Sequence, residues 1–169
     1  MSAKQYLEES DFVEKTKGLQ GAQPIETLQG VKRMLVDEIP TSFDDCIAWA
    51  RLTFQELFHN QVRQLLHNFP PDQMTSTGTP FWSGPKRCPK PAEFNLECPV
   101  HLDFIVAAAN LRAEVYGIKE GATRDASAIV PVLKRVNVPE FKPKEGVKIA
   151  ATDAEAQVGS LCVVQRYGM

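Results

Sequence analysis

The sequence predicts a mainly α-helical fold: a helical bundle with a long, ordered, proline-rich loop and a minor C-terminal strand. Three observations carry this. Apolar residues recur every three to four positions through most of the first 70 residues and again between 98 and 136, the spacing of helices with one buried face. Seven of the 12 prolines fall between residues 70 and 99, which excludes helix for most of that stretch. The chain has 169 residues, 43% hydrophobic and 24% charged, enough to bury a core in one domain without disulfide or metal staples.

The elements follow in order. Leu7, Phe12, Val13 and Leu19 are spaced for a short helical pair broken near Gly18 and Gly21. Pro24 suits a first helical position, and Ile25, Leu28, Val31, Met34 and Leu35 continue an amphipathic helix that Pro40 ends. The strongest periodic signal runs from Ser42, a plausible N-cap, to Phe69. Asp44 and Asp45 favour the first turn, and Phe43, Ile47, Ala50, Phe54, Leu57, Phe58, Val62, Leu65 and Leu66 form the apolar face. Arg51, Gln55, Glu56, Asn60, Arg63 and Gln64 take the other face. This is one long helix, or two joined near His59-Asn60, and Pro70-Pro71 stops it.

Residues 70–99 carry Phe81, Trp82 and Phe94, which a disordered linker would rarely hold, so the loop is ordered and packed on the helices with Phe81-Trp82 as its aromatic plug. Another helix opens at Cys98-Pro99, buries Leu102, Ile105, Val106, Ala109, Ala113 and Tyr116, and stops at Gly117. Asp125 caps a short helix with Ile129, Val132, Leu133 and Val136, kinked at or starting nearer Pro131. Val138 to Lys144 is an extended connector, and Val147-Lys148-Ile149-Ala150 is the candidate strand, ended by Asp153.

Composition excludes several function classes. Nineteen basic against 21 acidic residues leave a formal charge of -2, so nucleic acid is not bound by bulk charge. No apolar run approaches the ~18 residues of a membrane span. The acidic N-terminal residues have no apolar secretory core, which sets the expectation of a cytoplasmic and nuclear chain. The four cysteines (46, 88, 98, 162) form no Cys-x-x-C, and His59 and His67 stand two helical turns apart, so neither a disulfide framework nor a metal site is expected. Lys86-Arg87 with Lys90 is the one concentrated basic patch; no basic stripe continues it, and a structural or protein-facing role is expected. Cys46, early on the long helix, sits where a dipole can activate a thiol, yet Asp44 and Asp45 oppose a thiolate and Ile47 marks the apolar face, so it reads as a buried, inert thiol. Cys88, beside Arg87, is more electropositive but has no histidine arranged to serve it.

Three blocks then stand out in order: Leu65-Leu66-His67-Asn68-Phe69-Pro70-Pro71-Asp72-Gln73; Gly78 to Pro89, including Phe81-Trp82-Ser83-Gly84-Pro85-Lys86-Arg87-Cys88-Pro89; and His101-Leu102-Asp103-Phe104 with Ala107-Ala108-Ala109-Asn110-Leu111. They closely resemble the eukaryotic ubiquitin-activating enzymes, in the family's order and spacing. The resemblance extends from about Lys4 to Thr152-Asp153 and covers the second half of the catalytic-cysteine domain, which is mostly helical in that family. Residues 1–153 are therefore expected to be this half-domain, and 154–169 a divergent, poorly ordered tail.

The resemblance implies a parent activity: adenylation of the ubiquitin C-terminus with ATP and magnesium, a cysteine thioester, and transfer to a conjugating enzyme. Ubiquitin and the conjugating enzyme are thus the implied partners, with no nucleic acid and no membrane. The family's nucleophile sits in a Cys-Thr-x-(Lys/Arg)-x-Phe-Pro motif, and no cysteine here has that context, so the nucleophile is expected to be absent from this chain and the chain alone to be inactive. No ATP, magnesium or other cofactor site is expected in the chain itself. The resemblance also implies that Asp153, preceded by Thr152, matches an aspartate near the family's catalytic cysteine. Its implied part is supporting, orienting or polarising groups during thioester formation; read from the residues alone, it is equally a cap at a strand end. Two other functions stay open: an independent helical module binding ubiquitin or a conjugating enzyme, and a free-standing thiol enzyme using Cys46 or Cys88.

Overall fold

The computed structural model describes residues 3–19, 21, 23–147 and 149. These divide at Pro40 into two units.

The first unit holds α1 (Ala3–Glu8), α2 (Phe12–Lys17) and α3 (Gln23–Lys32). A helix of six residues has room for one buried ridge, and on α2 that ridge is Phe12 and Thr16, four apart and both buried. Tyr6 meets the Phe12 ring edge-on at 5.6 Å. Leu7 and Val13, expected to share this face, point outward at 68% and 41% exposure; each is rotated off the single available ridge. The proline-initiated helix forms as expected, with Val31 buried, and then widens into a π-helical turn over Arg33–Asp37, where the Glu38 N–H reaches back five residues to the Arg33 carbonyl at 2.8 Å.

The second unit contains α4 (Phe43–Phe54), α5 (Gln61–Asn68), α6 (Pro99–Val115) and α7 (Ala126–Leu133). Ser42 caps α4 as expected, in a full capping box: its hydroxyl accepts the Asp45 N–H at 3.2 Å while Asp45 Oδ2 accepts the Ser42 N–H at 3.0 Å. One face of α4 lies against α6 and α7. Phe43, Cys46, Ile47, Ala50 and Phe54 from α4, Ile105, Ala109 and Ala113 from α6, and Ile129 and Leu133 from α7 form one buried cluster. The alanines buried in this cluster are Ala50, Ala109 and Ala113; of the expected Ala107-Ala108-Ala109 trio Ala109 is buried, Ala108 half-buried and Ala107 exposed.

The stretch from Ser42 to Phe69 is two α-helices, α4 and α5, joined near His59-Asn60 as the second of the two expectations has it. A π-helical turn, Gln55–Asn60, joins α4 to α5, and the Gln61 N–H bonds the Glu56 carbonyl five residues back. The buried face accordingly steps by five, from Phe54 to His59, instead of the four that would have selected Phe58. Phe58 is 41% exposed and still touches the Phe54 and Phe104 rings.

At the end of α6, Gly117 takes φ +71° and two bonds close the motif, Gly117 N–H to Glu114 O (3.1 Å) and Ile118 N–H to Ala113 O (2.8 Å). Asp125 caps α7, accepting the Ser127 N–H at 2.8 Å, and Pro131 is accommodated inside this eight-residue helix.

The 70–98 loop is folded back onto the helices. Gln73 to Phe81 makes a narrow turn around Gly78 (φ +76°), with Thr75 N–H to Thr79 O and Phe81 N–H to Gln73 O both at 2.8 Å. Phe81-Trp82 does not plug the α4–α6 core. Both are half-buried against the end of α5, Phe81 stacked flat on Phe69 at 4.8 Å and Trp82 Nε1 donating to the Phe69 and Pro70 carbonyls at 3.1 Å. The Phe69 carbonyl, at the cap of α5, is one that a helix C-terminus leaves without an intrahelical partner, and the Pro70 carbonyl also accepts the Gln73 N–H at 2.9 Å. The aromatic that reaches the core is Phe94, against Phe54 (5.2 Å) and His101 (5.8 Å).

Among the described residues no strand forms; an isolated bridge pairs Met74 with Pro80. The expected strand at 147–150 is corrected for Val147 and Ile149, which have no strand pairing. Side chains of α5, not a neighbouring strand, take up the backbone here. Lys148, Ala150, Asp153, Cys162 and the whole 154–169 tail lie outside the described residues. No helix among the described residues is long and apolar enough to cross a membrane.

Candidate functional site

The most developed polar arrangement is the face of α5 that holds the segment leading toward Asp153. Gln64 Nε2 donates to the Lys144 carbonyl (3.0 Å) and Gln64 Oε1 accepts the Lys144 N–H (2.8 Å). Gln64 Nε2 also donates to Asn68 Oδ1 at 2.8 Å, orienting Asn68 so that its Nδ2 donates to the Val147 carbonyl. Between them His67 Nε2 lies 3.2 Å from Glu145, and Arg63 covers the Phe141 ring at 5.6 Å. Gln64, His67 and Asn68 share one helical face by their spacing of three and four. The 141–147 segment, which turns at Glu145-Gly146, is thereby laid along α5, a few residues short of Asp153 in sequence.

Sequence reading put Gln64 on the solvent face and gave Asn68 no part. Their partners are about eighty residues away, so no local pattern could reveal the clasp. The available signal was a polar pair four apart on a short amphipathic helix.

The thiols are dispersed. Cys46 is fully buried in the α4 core, and burial pushes its pKa up; the Arg112 charge opposes that shift and Asp45 adds to it. A neutral, enclosed thiol is a poor nucleophile. Cys88 is exposed, its Sγ 3.8 Å from the Pro89 carbonyl. Cys98 is half-buried at the start of α6, its carbonyl accepting the His101 and Leu102 N–H groups at 3.1 and 3.2 Å. The histidines serve structure: His59 Nδ1 donates to the Ala92 carbonyl at 3.1 Å, and His101 Nδ1 accepts the Asn95 N–H at 3.1 Å. Neither ring presents a base to a thiol in these bonds. In the basic patch Lys86 Nζ sits 4.6 Å over the Phe81 ring, a protein-facing use of one of its three cations.

The second unit is a helical domain with its aromatic loop folded on α5, and none of the bonds of Cys46, Cys88 and Cys98 given above pairs a thiol with a histidine. The chain belongs to the ubiquitin-activating enzyme family, matching its SCCH domain, the second catalytic-cysteine half-domain, over residues 1–161. It is 50% identical over 159 residues to ubiquitin-like modifier-activating enzyme 1 of Homo sapiens and of Oryctolagus cuniculus, covering 94% of this chain and 15% of each relative. It is also 47% identical over 150 residues to ubiquitin-activating enzyme E1 1 of Schizosaccharomyces pombe, covering 89% of this chain and 14% of that protein. The chain thus spans about one seventh of the length of the curated relatives it matches.

Proposed function

We propose that this chain is the non-nucleophilic half of a catalytic-cysteine domain and works as part of a longer ubiquitin-activating enzyme. In that enzyme the ubiquitin carboxylate attacks the α-phosphorus of ATP and pyrophosphate leaves. A cysteine thiolate then attacks the acyl carbon of the adenylate, AMP leaves, and the thioester passes to a conjugating enzyme. Magnesium and ATP belong to that longer enzyme. Ubiquitin and the conjugating enzyme are its partners, and the cytoplasm and nucleus its compartments. Asp153 takes a supporting part, orienting or polarising groups as the thioester forms.

The observation that carries this reading is the family match along nearly the whole chain, at about half identity, to a fraction of each relative's length. The burial of Cys46 supports the inert-alone part of it. The test is to mix the purified chain with ubiquitin, ATP and magnesium and run a non-reducing gel. No ubiquitin-sized, reductant-sensitive shift is expected. A shift that needs ATP and disappears with Cys46→Ala or Cys88→Ala would replace this reading with a thiol enzyme.

A second reading, an independent protein-binding module, is favoured by the outer face of α6, where Val100, Leu111 and Val115 are 72%, 64% and 72% exposed. Titration of the chain with ubiquitin or a conjugating enzyme separates the two, since the module alone predicts saturable binding.

A further inference from the structure

Arg51, in the last turn of α4, is a half-buried cation that meets no carboxylate among the described residues. Its guanidinium lies 4.2 Å from the centroid of the Phe94 ring, and one N–H donates to Gln55 Oε1 at 3.1 Å. Gln55 is itself held, donating to Asn60 Oδ1 at 3.5 Å across the π-helical turn. A guanidinium has five N–H donors in a rigid fork, and stacking on the ring leaves its edge available. Among the described residues no carboxylate forms an ion pair with it; what acts on its charge is desolvation by burial, which lowers its pKa.

Arg51 and Phe94 line an open groove of about 430 Å³ whose further lining includes Glu97, Leu133, Val136 and Val138. The aliphatic wall comes from the end of α7 and the extended chain after it. The α7 terminus does not repel an anion through an open carbonyl at Leu133, because that carbonyl accepts the Val136 N–H at 3.3 Å. Glu97 is the one lining carboxylate, exposed and outside ion-pair distance of Arg51. A half-buried cation is stabilised by a carboxylate that can meet its fork edge-on, and a branched hydrocarbon beside that carboxylate would cover the valine and leucine wall.

We propose that this groove binds an aliphatic carboxylate, with Arg51 forking the carboxylate and Leu133, Val136 and Val138 receiving the hydrocarbon. A peptide C-terminus ending in a branched residue and a free branched acid share this chemistry. The inference does not depend on the ubiquitin-activating reading, since it concerns the groove of the chain as it stands.

The test uses the 169-residue chain, ¹⁵N-labelled, titrated with acetyl-glycyl-leucine, with its C-terminal amide, and with 4-methylpentanoate, following the Arg51 Nε–H and the amides of residues 94–97. Saturable shifts are expected with the peptide acid, and binding of the amide weaker by on the order of tenfold, the loss of a charge-assisted fork. Equal affinity for 4-methylpentanoate and the peptide acid would assign the site to free acids; much weaker binding of the former would assign it to chain termini. Arg51→Gln should abolish binding. Should that variant fail to fold by circular dichroism, Glu97→Gln decides, since removing the rim charge should tighten the acid about two- to fivefold and leave the amide unchanged. No Arg51 response up to about 10 mM acid, beyond the range of a ligand this small in a real site, would overturn the proposal, as would equal binding of acid and amide or an unchanged acid affinity in Glu97→Gln.

Discussion

Gln64 and Lys144, 80 positions apart, pair as two strand residues do: the side-chain amide of one gives and receives a hydrogen bond with the backbone of the other, at 3.0 and 2.8 Å. A side chain has taken the place of a strand, which is why the connector after Val138 stays extended without a sheet.

This clasp predicts a local effect larger than its energy. Gln64→Ala removes both bonds at an exposed site, where water can replace them, so global stability should fall by only about 1 kcal/mol. The Lys144 amide, however, loses its acceptor, Gln64 Oε1. Hydrogen exchange at Lys144 should quicken by tenfold or so while amides in α4 and α6 are unchanged. An unchanged rate at Lys144 would show that the segment is held by Asn68 and Arg63 instead.

The contrast between α4 and this clasp marks what the sequence could and could not reveal. Ser42, the paired aspartates and the period of Phe43, Ile47, Ala50 and Phe54 are local, and they specify a capped amphipathic helix wherever the rest of the chain lies. The stop at Gly117 and the cap at Asp125 are local in the same sense. The π-helical turn was not legible, because a slip of one residue is set by which of Phe58 and His59 finds a partner, and His59 finds the Ala92 carbonyl 33 positions away. Trp82 was misplaced for the same reason: an aromatic beside prolines announces burial, but not against which helix. The family resemblance was legible because it rests on whole blocks of residues. The role given to Asp153 rests on that resemblance, since Asp153 lies outside the described residues.

Asp45 gives a pH dependence. The Thr41 N–H and hydroxyl, at 2.9 and 2.8 Å, hold its carboxylate below the ordinary aspartate value, with Ser42 adding to the effect and partial burial opposing it. A carboxyl with a depressed folded-state pKa stabilises the fold above its unfolded value, near 3.8, and that contribution is lost as pH falls through the lower folded value. Asp45→Ala should therefore cost about 1 kcal/mol at neutral pH, the usual worth of a cap, and flatten the acid limb of the stability curve. Urea titrations of both proteins between pH 2 and 7 test this; parallel curves across the range would rule the capping box out as an acid-sensitive element.

Cys46 predicts the opposite limb. Burial raises its pKa above the ordinary 9.0, so above that pH the unfolded chain releases a proton that the folded chain keeps. Its contribution is fully present below 9.0 and is lost as pH rises through the folded value. Cys46→Ala should remove this alkaline loss. In the native chain iodoacetamide should modify exposed Cys88 first and reach Cys46 only on unfolding, which peptide mass mapping resolves. Labelling of Cys46 at the rate of Cys88 would mean that the α4–α6 core opens readily.

Trp82 separates ring packing from hydrogen bonding at the end of α5. The indole is half-buried, so Trp82→Ala should cost about 1–3 kcal/mol, below the range for a fully enclosed aromatic. Trp82→Phe keeps most of the ring contact, including the edge-on packing with Phe81 at 5.0 Å, but removes the one N–H shared between the Phe69 and Pro70 carbonyls. The Phe69 carbonyl then depends on water, which reaches it because the site is only partly covered, while the Pro70 carbonyl keeps the Gln73 N–H at 2.9 Å, so the cost should be about 0.5–1.5 kcal/mol. Denaturation midpoints of the two variants give the split directly. If Trp82→Phe costs as much as Trp82→Ala, the indole N–H is what Trp82 contributes and its edge-on packing with Phe81 contributes nothing. If Trp82→Phe is silent, the helix end is satisfied by solvent and the ring is what fixes the loop.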